Sequence, residues 1–276
     1  VFDTFAYQYT RKAPLKVKPL PNVTVRICSI ECCFAHPLSD SKCKENAAFH
    51  QDILDWQEIC NRIYVWDYTT NYAHTCCLFP DFGVIQKNVQ LFYEHNVKGV
   101  YEEGNYYIDA CDAEFGELRA YMLSKCMQNP YCDYNAVMKE FCEAYYGEGA
   151  GDILKFITAA DKYAGRRHLN IYKNPRDVLC LSKEEIAELD GYFEHAKQTA
   201  TGEALENVKR SEISWRFVKL HKKALEFSDI MTREAEKEKL IAEKKAKHLI
   251  VVLFGLIGLS YMLLSIKKSV KLKMNY

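Results

Sequence analysis

The chain has 276 residues, and its Lys plus Arg and Asp plus Glu balance at 37 each, so nothing in its charge points to nucleic acid or an acidic polymer. That length buries a substantial core and permits one large domain or two ordinary ones. It starts at Val1 with no signal-like segment, and "VFDTFAYQYT" already reads as core, which suggests the carboxyl-terminal part of something longer.

The first hundred or so residues alternate strand with helix. "TFAYQYT" (Thr4 to Thr10) is rich in aromatic and β-branched residues and is ended by a Pro-bearing loop; "VTVRICSI" (Val23 to Ile30) is the next strand. Lys44 to Cys60 carries Ala47, Ala48, Ile53, Leu54, Trp56 and Ile59 at mainly helical spacing. "RIYVWDY" is a third strand, "FGVIQKNVQLFYEHN" a helix and "VKGVYEE" a fourth strand. This order predicts parallel pairing with right-handed crossovers.

After Asp112 the pattern is helical: Glu114 to Asn129, Tyr134 to Tyr145, Gly151 to Tyr163, Lys183 to Gln198 with Ser182 as N-cap, and Gly202 to Phe227. "GEGAG" at Gly147 to Gly151 reads as a helix break. The resulting domain plan is an α/β part over 1–130, a helical domain over 131–228, a charged helical linker over 229–248, an apolar helix over 249–266 and a basic tail over 267–276. Leu249 to Ile266 contains no charge, and at about 1.5 Å per residue it spans roughly 27 Å, which predicts a membrane helix. The lysines after it, Lys267, Lys268, Lys271 and Lys273, have no acid among them, which favours a membrane-anchored protein with its folded part extracytoplasmic.

Twelve cysteines are spread along the chain. Cys28, Cys32, Cys33, His36 and Cys43 are close enough to suggest zinc, but Cys32 and Cys33 are adjacent and no clean pair of two-residue-spaced cysteines is present. Buried thiols or a local disulfide rank above metal, so no metal and no cofactor is expected. Gly-rich phosphate loops after a strand, His-Glu-x-x-His runs and serine nucleophile elbows are absent.

In parallel α/β folds functional groups gather at the carboxyl ends of strands. Here those ends carry Gln8 and Tyr9, Glu31, Asp67, and Glu102 with Glu103, and Trp66, Tyr68, Asn71, Tyr72 and Tyr106 stand near. Paired carboxylates beside flat rings suit glycoside hydrolysis, in which one acid protonates the leaving oxygen and a second acts as nucleophile or base. Strand-end carboxylates also cap helices or pair with Arg and Lys, and aromatics beside strands are usually core. Asp67 would gain a raised pKa beside apolar rings, or a lowered one beside an Arg.

The blocks "AYQYT", "VRICSIECCFAHPL", "IYVWDYTTNY", "FPDFGVIQKNVQLFYEHNVKGVYEEGNY", "EFGELRAYMLSKCMQNP" and "EFCEAYYG" resemble those of the bacterial domain of unknown function 4838 family. That family is regarded as glycoside-hydrolase-like, a TIM barrel followed by a helical region, distantly similar to α-glucuronidases and β-hexosaminidases. The resemblance implies that the four strands are the second half of an eight-stranded barrel whose first half lies outside this chain. It also implies that Glu31, Asp67 and Glu102 match recurring strand-end acids, with Asn105 and Tyr106 beside the last. The family commonly has Gln where this chain has Glu103, which leaves open whether Glu102 or Glu103 faces the pocket. The expectation is a hydrolase acting on polysaccharide or glycan, with uronic-acid and amino-sugar polymers among the candidates. The alternatives are a non-catalytic carbohydrate-binding barrel and an inactive fragment.

Overall fold

A computed structural model describes the backbone of residues 1–104 and 114–273, and the side chains of those residues except 224–226, 229, 242 and 244–273. Among these, four strands form one parallel sheet in sequential order: β1 (Phe2–Ala6), β2 (Val23–Cys28), β3 (Ile63–Tyr68) and β4 (Gly99–Glu103). Helix α1 (Lys44–Gln57) connects β2 to β3 and α2 (Phe82–Glu94) connects β3 to β4, while β1 reaches β2 through a loop and a 3-10 turn at Gln8–Thr10.

The first strand ends earlier than expected because Gln8 takes a left-handed backbone, φ 49°, which a ladder residue cannot hold. Register aligns Phe5 with Arg26, Arg26 with Tyr64, Trp66 with Tyr101 and Asp67 with Glu102. Ala6, Val25, Ile27, Ile63 and Val65 are buried, and with Phe49, Ile53, Ile85, Val89 and Phe92 of α1 and α2 they form one apolar cluster. Each of the Val, Ile and Phe side chains contributes about 1.5–3 kcal/mol on leaving water.

Beyond the sheet lie α3 (Gly116–Gln128), α4 (Tyr134–Tyr146), α5 (Ala150–Ala164), a short α6 (Pro175–Val178), α7 (Lys183–Thr199) and α8 (Gly202–Lys273). The break between α4 and α5 falls at the expected glycines, with Gly147 at φ 54° and a 3-10 turn over Gly147–Gly149. Ser182 caps α7 by accepting from the Glu185 N–H at 3.2 Å, and Glu185 accepts in return from the Ser182 N–H at 2.9 Å.

The chain divides into two compact units, Val1–Lys222 and Lys223–Tyr276. The first holds the sheet and α1 to α7. The carboxyl-terminal expectation needs correcting: among the described residues no helix is long and apolar enough to cross a membrane. The membrane helix at Leu249 to Ile266, and the membrane-anchored, extracytoplasmic placement drawn from it, are therefore not supported; the side chains of that stretch lie outside the described residues. Instead of a bundle helix, a linker and a separate span, the backbone is one helix from Gly202 to Lys273. No Pro or Gly interrupts 203–254, so nothing stops the charged helix before the apolar run begins. The supported architecture is a parallel α/β sheet followed by helices.

Candidate functional site

Side chains alternate across a strand, and β3 shows the consequence. Ile63, Val65 and Asp67 are buried towards the helix layer, whereas Tyr64 and Trp66 are half-exposed on the other face. Trp66 therefore shares its face with Phe5, at 5.5 Å between ring centroids, and with Tyr101, at 4.8 Å. The Arg26 guanidinium lies 5.7 Å from the Phe5 ring, 5.9 Å from Tyr64 and 5.8 Å from Trp66, within cation–π range of all three. Phe5 and Tyr101 remain 53% and 49% exposed, so this row of rings is open to solvent.

At the carboxyl end of the row stands Glu103. Its carboxylate accepts from the Trp66 indole N–H at 2.5 Å and from the Tyr72 hydroxyl. Tyr72 packs edge-on against Tyr68 (5.9 Å) and Tyr172 (6.5 Å). Tyr7 belongs to the same mouth: burial raises its hydroxyl pKa, and Tyr172, Cys28, Glu31 and Glu103 are near enough to raise it further. Burial likewise pushes the Cys28 thiol up to about 11, with Arg26 opposing, and pushes Tyr68 well above the phenol range.

The expected site residues separate. Glu103, Trp66 and Tyr72 come together on the open face. Tyr68, 6% exposed, is wedged between Phe34 and Tyr72 and is no free platform. Asn71 is fully buried; its amide donates to the Lys173 carbonyl at 2.7 Å and its oxygen accepts from the Ala73 and His74 N–H groups. It clamps a loop. Glu31 is half-exposed and accepts from Arg11 at 3.0 Å. Tyr9 is 94% exposed on the turn after β1, and Asn105 and Tyr106 lie outside the described residues.

Asp67 and Glu102 sit side by side on the opposite, helix-facing side of the sheet. Asp67 accepts from the Ser29 hydroxyl and from the Tyr68 N–H at 2.9 Å. Together with Asp81, Asn88, Phe34 and Leu123 they line a cavity of about 10 Å³, room for about one water and no sugar. Beyond it Arg119, buried, pairs with Asp81 and with Glu114 at 2.9 Å and lies 4.5 Å over the Phe82 ring. Among the described residues, acids outnumber cations here. Burial raises Asp67 and Glu102 above the carboxylate range. It pushes Asp81 up to about 6 and Glu114 up to about 7, with Arg119 opposing in both. A larger cavity, about 290 Å³, lies at the other ends of the strands between Pro19–Pro21 and Gln57–Asn61, away from these groups.

Tyr7 is not among the expected site residues because the expected first strand runs on to Thr10, whereas the strand ends at Ala6. Tyr172 has no local signal, since it reaches the mouth from beyond α5, 100 residues after Tyr72. The alternation within "IYVWDY" already separated Asp67 from Trp66 and Tyr68, a signal that grouping by nearness in sequence overlooked.

Searches of curated proteins and of solved structures found no match. A family model does match over residues 1–158, which span all four strands, α1 to α4 and half of α5. The chain belongs to the family described as Domain of unknown function (DUF4838).

Proposed function

We propose that the open sheet face is a carbohydrate-binding surface. The observation that carries this reading is the Glu103 carboxylate, held by Trp66 and Tyr72 at the end of the solvent-exposed row Phe5, Trp66 and Tyr101. Flat rings stack on the apolar C–H faces of sugars, and a fixed carboxylate accepts from their hydroxyls. Arg26, over the same rings, offers a cation to an acidic sugar. Calorimetric titration of the full chain with neutral, uronic-acid and amino-sugar polysaccharides tests it. Binding that Trp66→Ala and Glu103→Gln weaken and Asp67→Asn leaves intact supports the reading; binding lost equally in all three, or absent, removes it.

Hydrolysis is the second reading, in which the strand-end acids on the open side, Glu31 and Glu103, both near Tyr7, are the candidates. Those two, not Asp67 with Glu102, would form the carboxylate pair. Release of reducing ends by the full chain, abolished by either Glu31→Gln or Glu103→Gln, is the expected outcome; turnover that survives both substitutions rejects this pair.

A further inference from the structure

The sulfurs of Cys33 and Cys43 and one ring nitrogen each of His36 and His168 all lie within 4.8 Å of one another. Three of the four come from the segment between β2 and α1, where Cys43 is the N-cap. The fourth comes from the loop after α5. Cys33 Sγ is 3.2 Å from His36 Nδ1, and Cys43 Sγ is 3.6 Å from His168 Nδ1. In a tetrahedral zinc shell, with Zn–S about 2.3 Å and Zn–N about 2.0 Å, neighbouring ligand atoms are roughly 3.3–3.8 Å apart. Cys28 and Cys32, equal candidates in the sequence, are outside the cluster.

We propose that Cys33, His36, Cys43 and His168 bind one Zn²⁺ as a structural Cys₂His₂ site. Several features fit a metal better than two separate thiol–imidazole hydrogen bonds. All four ligand atoms converge, not only the two pairs. His36 Nε2 is 3.0 Å from the Gly165 carbonyl, which only accepts, so a neutral His36 carries its proton on Nε2 and turns the Nδ1 lone pair inward. The Leu169 N–H points at Cys33 Sγ, 3.4 Å away, the outer support that a thiolate ligand uses. The loop is also shaped in advance by Asn46, fully buried, which accepts from the Cys33 N–H at 2.8 Å and donates to the Cys33, His36 and Pro37 carbonyls. Two thiolates with two imidazoles select zinc over magnesium or calcium, and four protein ligands leave no open position for substrate. Glu45, 3.5 Å from His168 Nδ1 and 3.7 Å from Cys43 Sγ, is the acid that would hold His168 in the metal's place.

Such a site ties the loop after β2 to the segment 165–173. That segment also accepts the Tyr72 N–H at the Ile171 carbonyl, 2.6 Å, and brings Tyr172 against Tyr72. The inference stands whether or not the open face binds sugar.

The test is elemental analysis of the full chain, expressed with zinc and purified under reducing conditions, followed by exchange with Co²⁺. Zinc near one per chain, and a cobalt spectrum with thiolate charge-transfer bands and tetrahedral visible bands, are expected. Cys33→Ser and Cys43→Ser should abolish both signals. His168→Asn, at an exposed position, should weaken zinc retention against a chelator by at least about tenfold. Cys180→Ser, an exposed thiol elsewhere, should change nothing. The proposal is overturned by a reduced wild-type chain that holds no zinc and gives no cobalt charge transfer, by a Cys33–Cys43 disulfide in place of metal, or by His168→Asn retaining zinc like wild type.

Discussion

The two faces of the sheet carry the same kinds of residue under opposite conditions. Glu103 and Trp66 look out over a solvent-exposed row of rings, while Asp67, buried, and Glu102, part-buried, one step along the same strands, face the helix layer. A single residue step changes what a carboxylate can do. On the open face it is held by two donors and can meet a ligand. On the closed face it lies near Asp81, which with Glu114 and Asp161 of α5 surrounds Arg119, and burial drives these acids towards their neutral forms.

The sharpest way to break the contrast is to remove the closed face's cation. Arg119→Met leaves Asp81 and Glu114 without their partner and should cost about 3–5 kcal/mol in urea unfolding at pH 8, with a smaller loss at pH 5, where the acids are protonated. A loss independent of pH would mean that packing over Phe82 dominates. Next comes the pH profile of the wild type. Asp81 and Glu114 titrate at about 6 and about 7 when folded and near about 4 when unfolded. Their contribution to stability is therefore full below about pH 4 and is lost as pH rises through 6 to 7. The melting temperature should fall from pH 5 to pH 8. Glu102→Gln should flatten that fall and raise stability at pH 8, with little change at pH 5.

On the open face the effects expected of the proposed carbohydrate surface belong to binding. Trp66→Ala should weaken glycan affinity about tenfold, or about 1.4 kcal/mol, by removing both a stacking ring and a donor to Glu103, while Asp67→Asn leaves affinity unchanged. The smallest effects are expected at the rim. Glu31→Gln breaks a half-exposed pair with Arg11 and should alter thermal stability by less than about 1 kcal/mol. Tyr9→Ala, at a fully solvated ring, should leave glycan affinity within error of wild type; a clear loss there would extend the binding face past the turn after β1.

Much of the fold was legible locally. "VTVRICSI", "RIYVWDY" and "FGVIQKNVQLFYEHN" hold enough periodic apolar residues to place their strands and helix within a few positions, and Ser182 with Glu185 announced the start of α7. The end of the first strand at Ala6 is not legible, because Gln8's left-handed turn has no glycine to mark it. The membrane helix was read from hydropathy alone, while the backbone runs on unbroken from Gly202.

What the sequence by itself determined is therefore the order and type of elements and the aromatic, acid-rich character of the strand ends, because periodicity and composition act over a few neighbouring residues. Tertiary structure alone decided which acid faces solvent, which tyrosines share the mouth, and that His168 joins Cys33, His36 and Cys43. The physical reason is that sheet register and loop packing bring together groups up to 135 positions apart, a distance over which no local pattern carries information.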